Sequence, residues 1–360
     1  MDTEKTGSKK ILVAPLNWGL GHATRCIPVI NTLINNGFHP VLAGDGESLI
    51  LLKKEFPRLK NYQLPSYNIQ YSRKGKYLKY KLLMNLPRIQ KIIKKERMEV
   101  EKIVEKEQIS GIISDNRFGV YSNKAPSVYI THQVNVLSGL TSFFTSKFHQ
   151  KIISKYQECW VPDFKGDNNL AGKLSQIGHT RINLKYIGPL SRFEDKNILV
   201  KERKYQIMVL LSGPEPQRTL LEEKLLTELK DFTKKVLFIR GVISDKERIF
   251  SDNKNIVIVN YLLQNDLQKT IAESEIIISR SGYSTVMDLS VMQAKAFFIP
   301  TPGQEEQKYL ATYLEKKGIA PYSSQDEFSI NDLEKITVYK GFKTKKTVRE
   351  HSIPLTVFKY

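Results

Sequence analysis

Three places along the chain set a proton-active or polar side chain directly behind an apolar run. In ILVAPLNWGLGHATRCIPVI (11–30) a turn containing Gly19 and Gly21 leads to His22. In GIISDNRFG (111–119) the run ends on Asp115, Asn116 and Arg117, and in SVYITHQVN (127–135) it ends on His132 and Gln133. Imidazole titrates in the range that suits it to take a proton from a hydroxyl. A helix starting at the glycine turn would hold His22 neutral, as a base must be. His22 is therefore the first candidate base and Asp115 the second, with local packing the plainer alternative for the histidine. Asn116, Arg117, His132 and Gln133 read together as one wall of a site, although each alone fits an ordinary surface loop.

A second set lies further on. MVLLSGPEPQRT (208–219) repeats the strand-then-glycine device with Ser212 and Gly213, and Arg218 follows within two helical turns. SEIIISRSGYSTVMDLS (274–290) stops a greasy run on Arg280, Ser281 and Gly282 before a helix restarts. Backbone N–H groups at such a helix start suit a pyrophosphate. Thr285 and Asp288 have capping-box spacing, yet a carboxylate there also suits a ribose diol, and position leaves both readings open. Gln304 to Gln307 follow the next greasy run, where Glu306 and Gln307 offer acceptors and donors for sugar hydroxyls. Acids at a helix start are the bland alternative. The chain carries no Walker loop, D-x-D, HExxH or paired-cysteine pattern, so no metal or cofactor is expected.

Elements must hold these residues on one edge. Apolar runs at 11–15, 39–44, 111–115 and 127–132 predict strands, as do runs at 206–213, 235–241, 255–261, 275–282 and 295–300. Helix-length segments separate most of them, such as 23–36, closed by Gly37. Continuous apolar strands alternating with helices indicate an α/β fold with parallel sheets covered on both faces, whose ligands bind at the carboxyl ends of strands. The pattern pauses over a polar stretch and restarts. The expected organisation is a Rossmann-like N-terminal domain (1–188), a linker (189–204), a second Rossmann-like domain (205–335) and a basic tail (336–360) that either adds to the basic face of 73–97 or packs back on the first domain.

The 360 residues carry a formal net charge of +19, which favours anionic partners. Two cysteines without a metal or disulfide spacing fit a reducing cytoplasm. The polar N-terminus does not read as a signal peptide, and no apolar run has spanning length. Between Arg73 and Arg97 ten basic residues and one acid interleave with apolar ones. That composition reads either as docking on an anionic membrane face or as a solvated helix whose apolar stripe joins the core.

GLGHATRCIPVI together with SRSGYSTVMDLS and IPTPGQEEQKYLATYLEKKGIA resembles the MurG-like branch of glycosyltransferase family 28, over about 11–320. The resemblance implies the GT-B fold, two Rossmann-like domains with parallel sheets facing across a cleft. It implies transfer of a sugar, N-acetylglucosamine among the candidates, from a UDP-sugar to a hydroxyl of a lipid-linked or cell-envelope glycan acceptor, with inversion. Gly19, Gly21, Ser212, Gly213, Arg218, Arg280, Ser281 and Gly282 would lie at the donor nucleotide and diphosphate. Asp288 would hold the ribose, Glu306 and Gln307 the sugar, and His22 would stand at the reacting centre. It also tips the basic segment toward the membrane, placing the protein in the cytoplasm, peripheral on the inner face, with no nucleic-acid partner. The N-terminal loop has one glycine fewer than the family's GTGGH, Lys308 replaces a second glutamine, and Ala311 replaces an asparagine; these differences bear on sugar and acceptor.

Three other readings compete. A UDP-sugar epimerase of the same architecture would turn over donor without acceptor. A non-catalytic nucleotide- or nucleic-acid-binding protein would use the basic surface, but no nucleic-acid module is recognisable. A dehydrogenase could use Gly19, Gly21 and Asp45, although Thr24 interrupts the glycine fingerprint.

Overall fold

The computed structural model describes residues 8–67, 86–137, 142–178, 180–193, 202–213, 215–242, 251–342 and 353–359. Two parallel sheets organise them. The first is built from β1 (Lys10–Pro15), β2 (His39–Gly44), β3 (Asn61–Gln63), β4 (Ile109–Asp115), β5 (Ser127–Ile130), β6 (Glu158–Val161) and β7 (Leu184–Tyr186). Its order is β3-β2-β1-β4-β5-β6-β7. Helices α1 (Gly21–Asn35), α2 (Gly46–Glu55), α3 (Leu86–Glu107) and α4 (Ser142–Ile153) belong to this half. The second sheet is built from β8 (Tyr205–Leu210), β9 (Val236–Ile239), β10 (Ile256–Val259), β11 (Ser274–Ser279) and β12 (Ala296–Phe298), ordered β10-β9-β8-β11-β12. It carries α5 (Gln217–Glu228), α6 (Gln264–Ala272), α7 (Tyr283–Val291) and α8 (Glu305–Lys316).

The central strands explain the continuous apolar runs. Ile11 to Ala14 and Ile112 to Ile113 are fully buried because helices cover both faces of the sheet. Helix α1 buries Ala23, Cys26, Ile27, Ile30 and Leu33, a three-and-four spacing that lays one stripe on the sheet. It stops at Gly37, whose φ of +80° is the left-handed conformation glycine adopts without cost. Phe38 N–H then donates back to the Leu33 carbonyl at 3.0 Å, satisfying a helix-end acceptor.

The halves share one apolar cluster that runs from β1 and α1 to Tyr283, Val286 and Leu310. Phe358, from the C-terminal segment, is fully buried in the same cluster. A side chain on Gly111 of β4 would come within 2.3 Å of the Phe358 ring, so glycine leaves the room that the segment fills. Trp160 meets Phe358 edge-on at 6.1 Å. Residues 73–85 of the basic stretch lie outside the described residues. Its remainder forms the first half of α3, where Arg88, Lys91, Lys94 and Lys95 are exposed and Ile92 and Ile93 half-buried. Among the described residues no helix is long and apolar enough to cross a membrane.

Candidate active site

The carboxyl ends of both sheets meet, and the junction is where most of the polar strand-end residues converge. After β1 the chain turns through Gly19 at φ +77° and enters α1 with no acidic residue in its first turn. A side chain on Gly19 would lie 3.6 Å from Gly213 Cα, and one on Gly21 would lie 3.0 Å from Ser284 Oγ. Ser284 Oγ donates to the Gly21 carbonyl at 2.8 Å. The glycines are therefore what lets the loops of the two halves approach.

His22 is 14% exposed at its side chain. Its Nδ1 lies 3.1 Å from Asp115 Oδ1 and 2.8 Å from an Arg25 guanidinium nitrogen. Burial, aided by Arg25 and opposed by Asp115, keeps its pKa below the ordinary histidine value. Asp115 is fully buried at the end of β4. Arg25 grips both carboxylate oxygens, Nε donating to Oδ2 at 2.6 Å and a terminal nitrogen to Oδ1. Burial alone would raise the Asp115 pKa, but Arg25 and His22 win and hold it at about 2. An acid that strong is a weak base, so the structure gives Asp115 the place of an anchor for His22 and Arg25.

Arg25 extends the chain of contacts. Its other terminal nitrogen donates to His132 Nδ1 at 3.1 Å, leaving His132 Nε2 to donate to Glu306 Oε1 at 2.7 Å. Gln133 Nε2 donates to the other Glu306 oxygen. The His132 ring stacks on Tyr283 of α7, centroids 4.4 Å apart. Burial works against the charge on Glu306, but His132, His22 and Arg25 together lower its pKa. Thus His22, Arg25, Asp115, His132 and Gln133 of the first half join Glu306 of the second. Arg25 and Tyr283 were not singled out by their sequence; the available signal was an arginine on the apolar face of α1, three residues from His22.

On the second half, Gly282 is the N-cap of α7, the helix has no side-chain cap, and its first turn has no acid. Ser281 Oγ donates to the Gln307 carbonyl at 2.8 Å, and Gln307 Oε1 accepts from Thr301 N–H at 2.8 Å. Gly213 takes φ +109° behind β8 with Ser212 half-buried beside it. The Ser279 and Thr301 hydroxyls, at the ends of β11 and β12, are buried without a hydrogen-bond partner.

Five expected site residues are differently employed. Arg117 is fully buried away from any cleft wall, with Nε on Glu96 at 2.5 Å and a terminal nitrogen on Asp45 at 2.5 Å. That pairing also takes the carboxylate on which a dehydrogenase would depend. Asn116 supplies the left-handed turn between them, at φ +56°. Arg280 spends its guanidinium on the carbonyls of Ile299, Pro300 and Gln217 and on Gln325 Oε1, all at 2.7–3.1 Å. Arg218 is taken up by Glu215, Glu222, Thr219 and the Arg240 carbonyl. Neither arginine is left to face a diphosphate, because desolvated guanidinium groups must satisfy their donors internally. Asp288 does not cap α7, which begins at Tyr283, two residues before Thr285. Its oxygens accept from Ser191 Oγ at 2.8 Å and Arg192 Nε at 3.2 Å, tying α7 to the chain that joins the halves.

Two parallel α/β halves, with polar groups converging from the strand ends of both, define the GT-B architecture. Comparison with known proteins gives the class. Residues 216–353 match the glycosyltransferase family 28 C-terminal domain. An uncharacterized glycosyltransferase of Methanosarcina acetivorans is 22% identical over 93% of this chain and 92% of its own length. The UDP-N-acetylglucosamine–N-acetylmuramyl-(pentapeptide) pyrophosphoryl-undecaprenol N-acetylglucosamine transferase of Haemophilus influenzae is 24% identical over 92% of this chain and 90% of its own. The solved glycotransferase of kitacinnamycin superposes with a TM-score of 0.64 over 98% of this chain and 92% of its own, at 11% identity. The chain is a glycosyltransferase of GT-B fold, similar over residues 216–353 to the family 28 C-terminal domain.

Proposed function

We propose that the protein transfers a sugar from a UDP-sugar to a hydroxyl of a lipid-linked or cell-envelope glycan acceptor, with inversion at the anomeric carbon. The observation that carries the reading is the unbroken chain from His22 through Asp115, Arg25 and His132 to Glu306, which joins a candidate base on one half to a sugar-binding carboxylate on the other. The activity named for the Haemophilus relative supports the donor and the lipid-borne acceptor.

With Nδ1–H donated to Asp115, His22 Nε2 takes the proton of the acceptor hydroxyl. The acceptor oxygen forms its bond to the anomeric carbon as the bond from that carbon to the diphosphate breaks. The leaving electron pair stays on the UDP oxygen. Asp115, kept ionised by Arg25, stabilises the imidazolium so formed. Backbone N–H groups at the uncapped start of α7 and at the Gly213 turn receive the diphosphate charge, with the helix dipole supplying what the buried arginines do not. Glu306 and Gln307 address the sugar, and His132 and Gln133 fix Glu306 when the site is empty.

Calorimetric titration of UDP, with ADP and NAD as controls, tests the donor. Selective UDP binding that survives His22→Asn, together with turnover that needs an added acceptor and is lost in that variant, is the expected result. Binding of NAD instead of UDP, or UDP-sugar turnover without any acceptor, would refute it, the latter in favour of an epimerase.

A further inference from the structure

Helix α8 begins at Glu305, and the side chain of its second residue reaches across to the other half. Glu306 Oε1 accepts from His132 Nε2 at 2.7 Å, and its other oxygen accepts from Gln133 Nε2. Both hydrogen-bond donors stand on the loop behind β5, and both are held from behind. Arg25 donates to His132 Nδ1 at 3.1 Å. The Gln133 N–H donates to Thr131 Oγ1 at 3.1 Å, and His149 Nδ1 lies 3.0 Å from the Gln133 carbonyl. The His132 ring also stacks on Tyr283, the first residue of α7, with 4.4 Å between centroids. An imidazole of the first half thus stands between the start of α7, read above as the diphosphate seat, and the carboxylate read as the sugar contact. The Glu306 side chain keeps 28% of its surface exposed, so a ligand can reach it while it is so engaged.

We propose that His132 and Gln133 stand in for two hydroxyl groups of the transferred sugar, so that the protein occupies its own sugar subsite until a sugar displaces them. One N–H on each oxygen of a carboxylate is the pattern that two neighbouring hydroxyls of a pyranose present. The exchange is balanced only for a sugar that donates twice. A sugar deoxygenated at either position leaves one oxygen of a half-buried carboxylate without a hydrogen bond. The ligand class is therefore a UDP-linked pyranose with two adjacent free hydroxyls, and UDP alone leaves the latch closed. Displacement does not require the halves to part, because other contacts hold them. Ser284 Oγ donates to the Gly21 carbonyl at 2.8 Å, and the Tyr283 hydroxyl to the Pro162 carbonyl at 3.0 Å. Lys173 N–H donates at 2.8 Å to the hydroxyl of Tyr309, three residues beyond Glu306 on α8. Only the Glu306 side chain has to turn. The latch lowers affinity for the sugar by the fraction of molecules in which Glu306 is free, so His132 and Gln133 are positioning residues that act through Glu306. The inference rests on the reading of Glu306 as the sugar contact.

The test is calorimetric titration of the full chain with UDP, UDP-N-acetylglucosamine, UDP-glucose and UDP-3-deoxyglucose, reading the ratio of UDP-sugar to UDP affinity. Gln133→Leu removes one of the two hydrogen bonds at a half-buried position. It should raise the ratio about tenfold for UDP-N-acetylglucosamine or UDP-glucose, with UDP bound as by wild type. His132→Phe, which keeps a ring on Tyr283, should move the ratio the same way, and melting without ligand confirms that each variant is folded. The 3-hydroxyl belongs to both adjacent pairs on a UDP-glucose ring, so UDP-3-deoxyglucose should show no such gain. Adding Glu306→Ala to Gln133→Leu should abolish the gain. If the ratio survives that addition, Glu306 is not the sugar contact, and the reading of the site falls together with the latch. If it collapses there, but Gln133→Leu alone leaves the ratio unchanged or lowers it, the latch alone is refuted and Gln133 braces the halves or touches the sugar itself. Equal strengthening of UDP and the UDP-sugars also overturns the proposal, since it would mean that the whole cleft had opened, and so does an undiminished gain for UDP-3-deoxyglucose.

Discussion

Replacing Arg25 by Met should leave a carboxylate buried without its counter-charge. In the native protein the pair carries Asp115 from its ordinary 3.8 to about 2 in spite of full burial. A shift of that size is worth about 2 kcal/mol. The sign follows from linkage: the folded pKa is depressed, so the stabilisation is present above the unfolded value and is lost as pH falls from about 3.8 through about 2. Arg25→Met removes that gain and exposes the remaining cost of burying the charge, so the expected loss at pH 7.5 is about 3–5 kcal/mol. The burial term then dominates and raises the Asp115 pKa above its ordinary value, so the variant should regain stability as the buffer is acidified toward pH 5, where wild type does not. Adding Asp115→Asn removes the stranded charge and should restore much of the loss. Urea unfolding followed by Trp160 fluorescence, buried in the same half, measures each variant at both pH values. A single-variant loss under about 1 kcal/mol, or a double variant no more stable than Arg25→Met, would refute the reasoning that a charge pair organises this site.

Other expectations concern the reaction and the packing. His22→Asn should lower kcat by 10²–10⁴-fold, roughly the worth of a positioned general base, with UDP affinity unchanged. Because burial lowers the His22 pKa, the acid limb of kcat/KM should fall below pH 6.5, the base being neutral until that lowered value is crossed; a limb at or above 6.5 would detach His22 from the role. Asp288→Asn should weaken the Ser191–Arg192 attachment of α7 and lower the melting temperature even without ligand, whereas a purely nucleotide-binding aspartate would leave the ligand-free melt unaltered. Gly111→Ala should cost about 1–3 kcal/mol by pushing on Phe358, and Phe358→Leu in the same chain should recover part of it.

The strand–helix alternation made the fold legible because the central strands are buried on both faces and so read as unbroken apolar runs. The strands that escaped are β3, β6 and β7, of three or four residues each. β6 reads ECWV, and its glutamate, Glu158, is buried with one oxygen accepting from Trp160 Nε1 at 2.8 Å and the other paired with Lys185 Nζ at 2.5 Å. No local pattern announces such a strand. The carboxyl ends of the strands were likewise legible as a class, since a greasy run that stops on polar residues marks where a parallel sheet opens. His22, Asp115, His132 and Glu306 were found by that rule and do converge.

What the rule could not supply is the partner of each charge. Arg117 and Asp115 sit two residues apart at one strand end, yet Arg117 turns to Glu96 and Asp45 while Asp115 turns to Arg25. Which way each turns depends on residues 20 to 90 positions away, and only the folded topology brings those into range. Arg280 and Arg218 illustrate the same limit from the other side: a basic residue beside a phosphate-type turn looks like a ligand for phosphate, but a fully desolvated guanidinium is first obliged to satisfy its own five donors. In both halves the internal oxygens did so. On the proposed reading the positive charge offered to a diphosphate is that of the helix ends, and the two halves are tied by side chains whose partners lie across the cleft. Glu306 is the clearest case, for its two hydrogen-bonded neighbours are more than 170 residues away and belong to the other sheet.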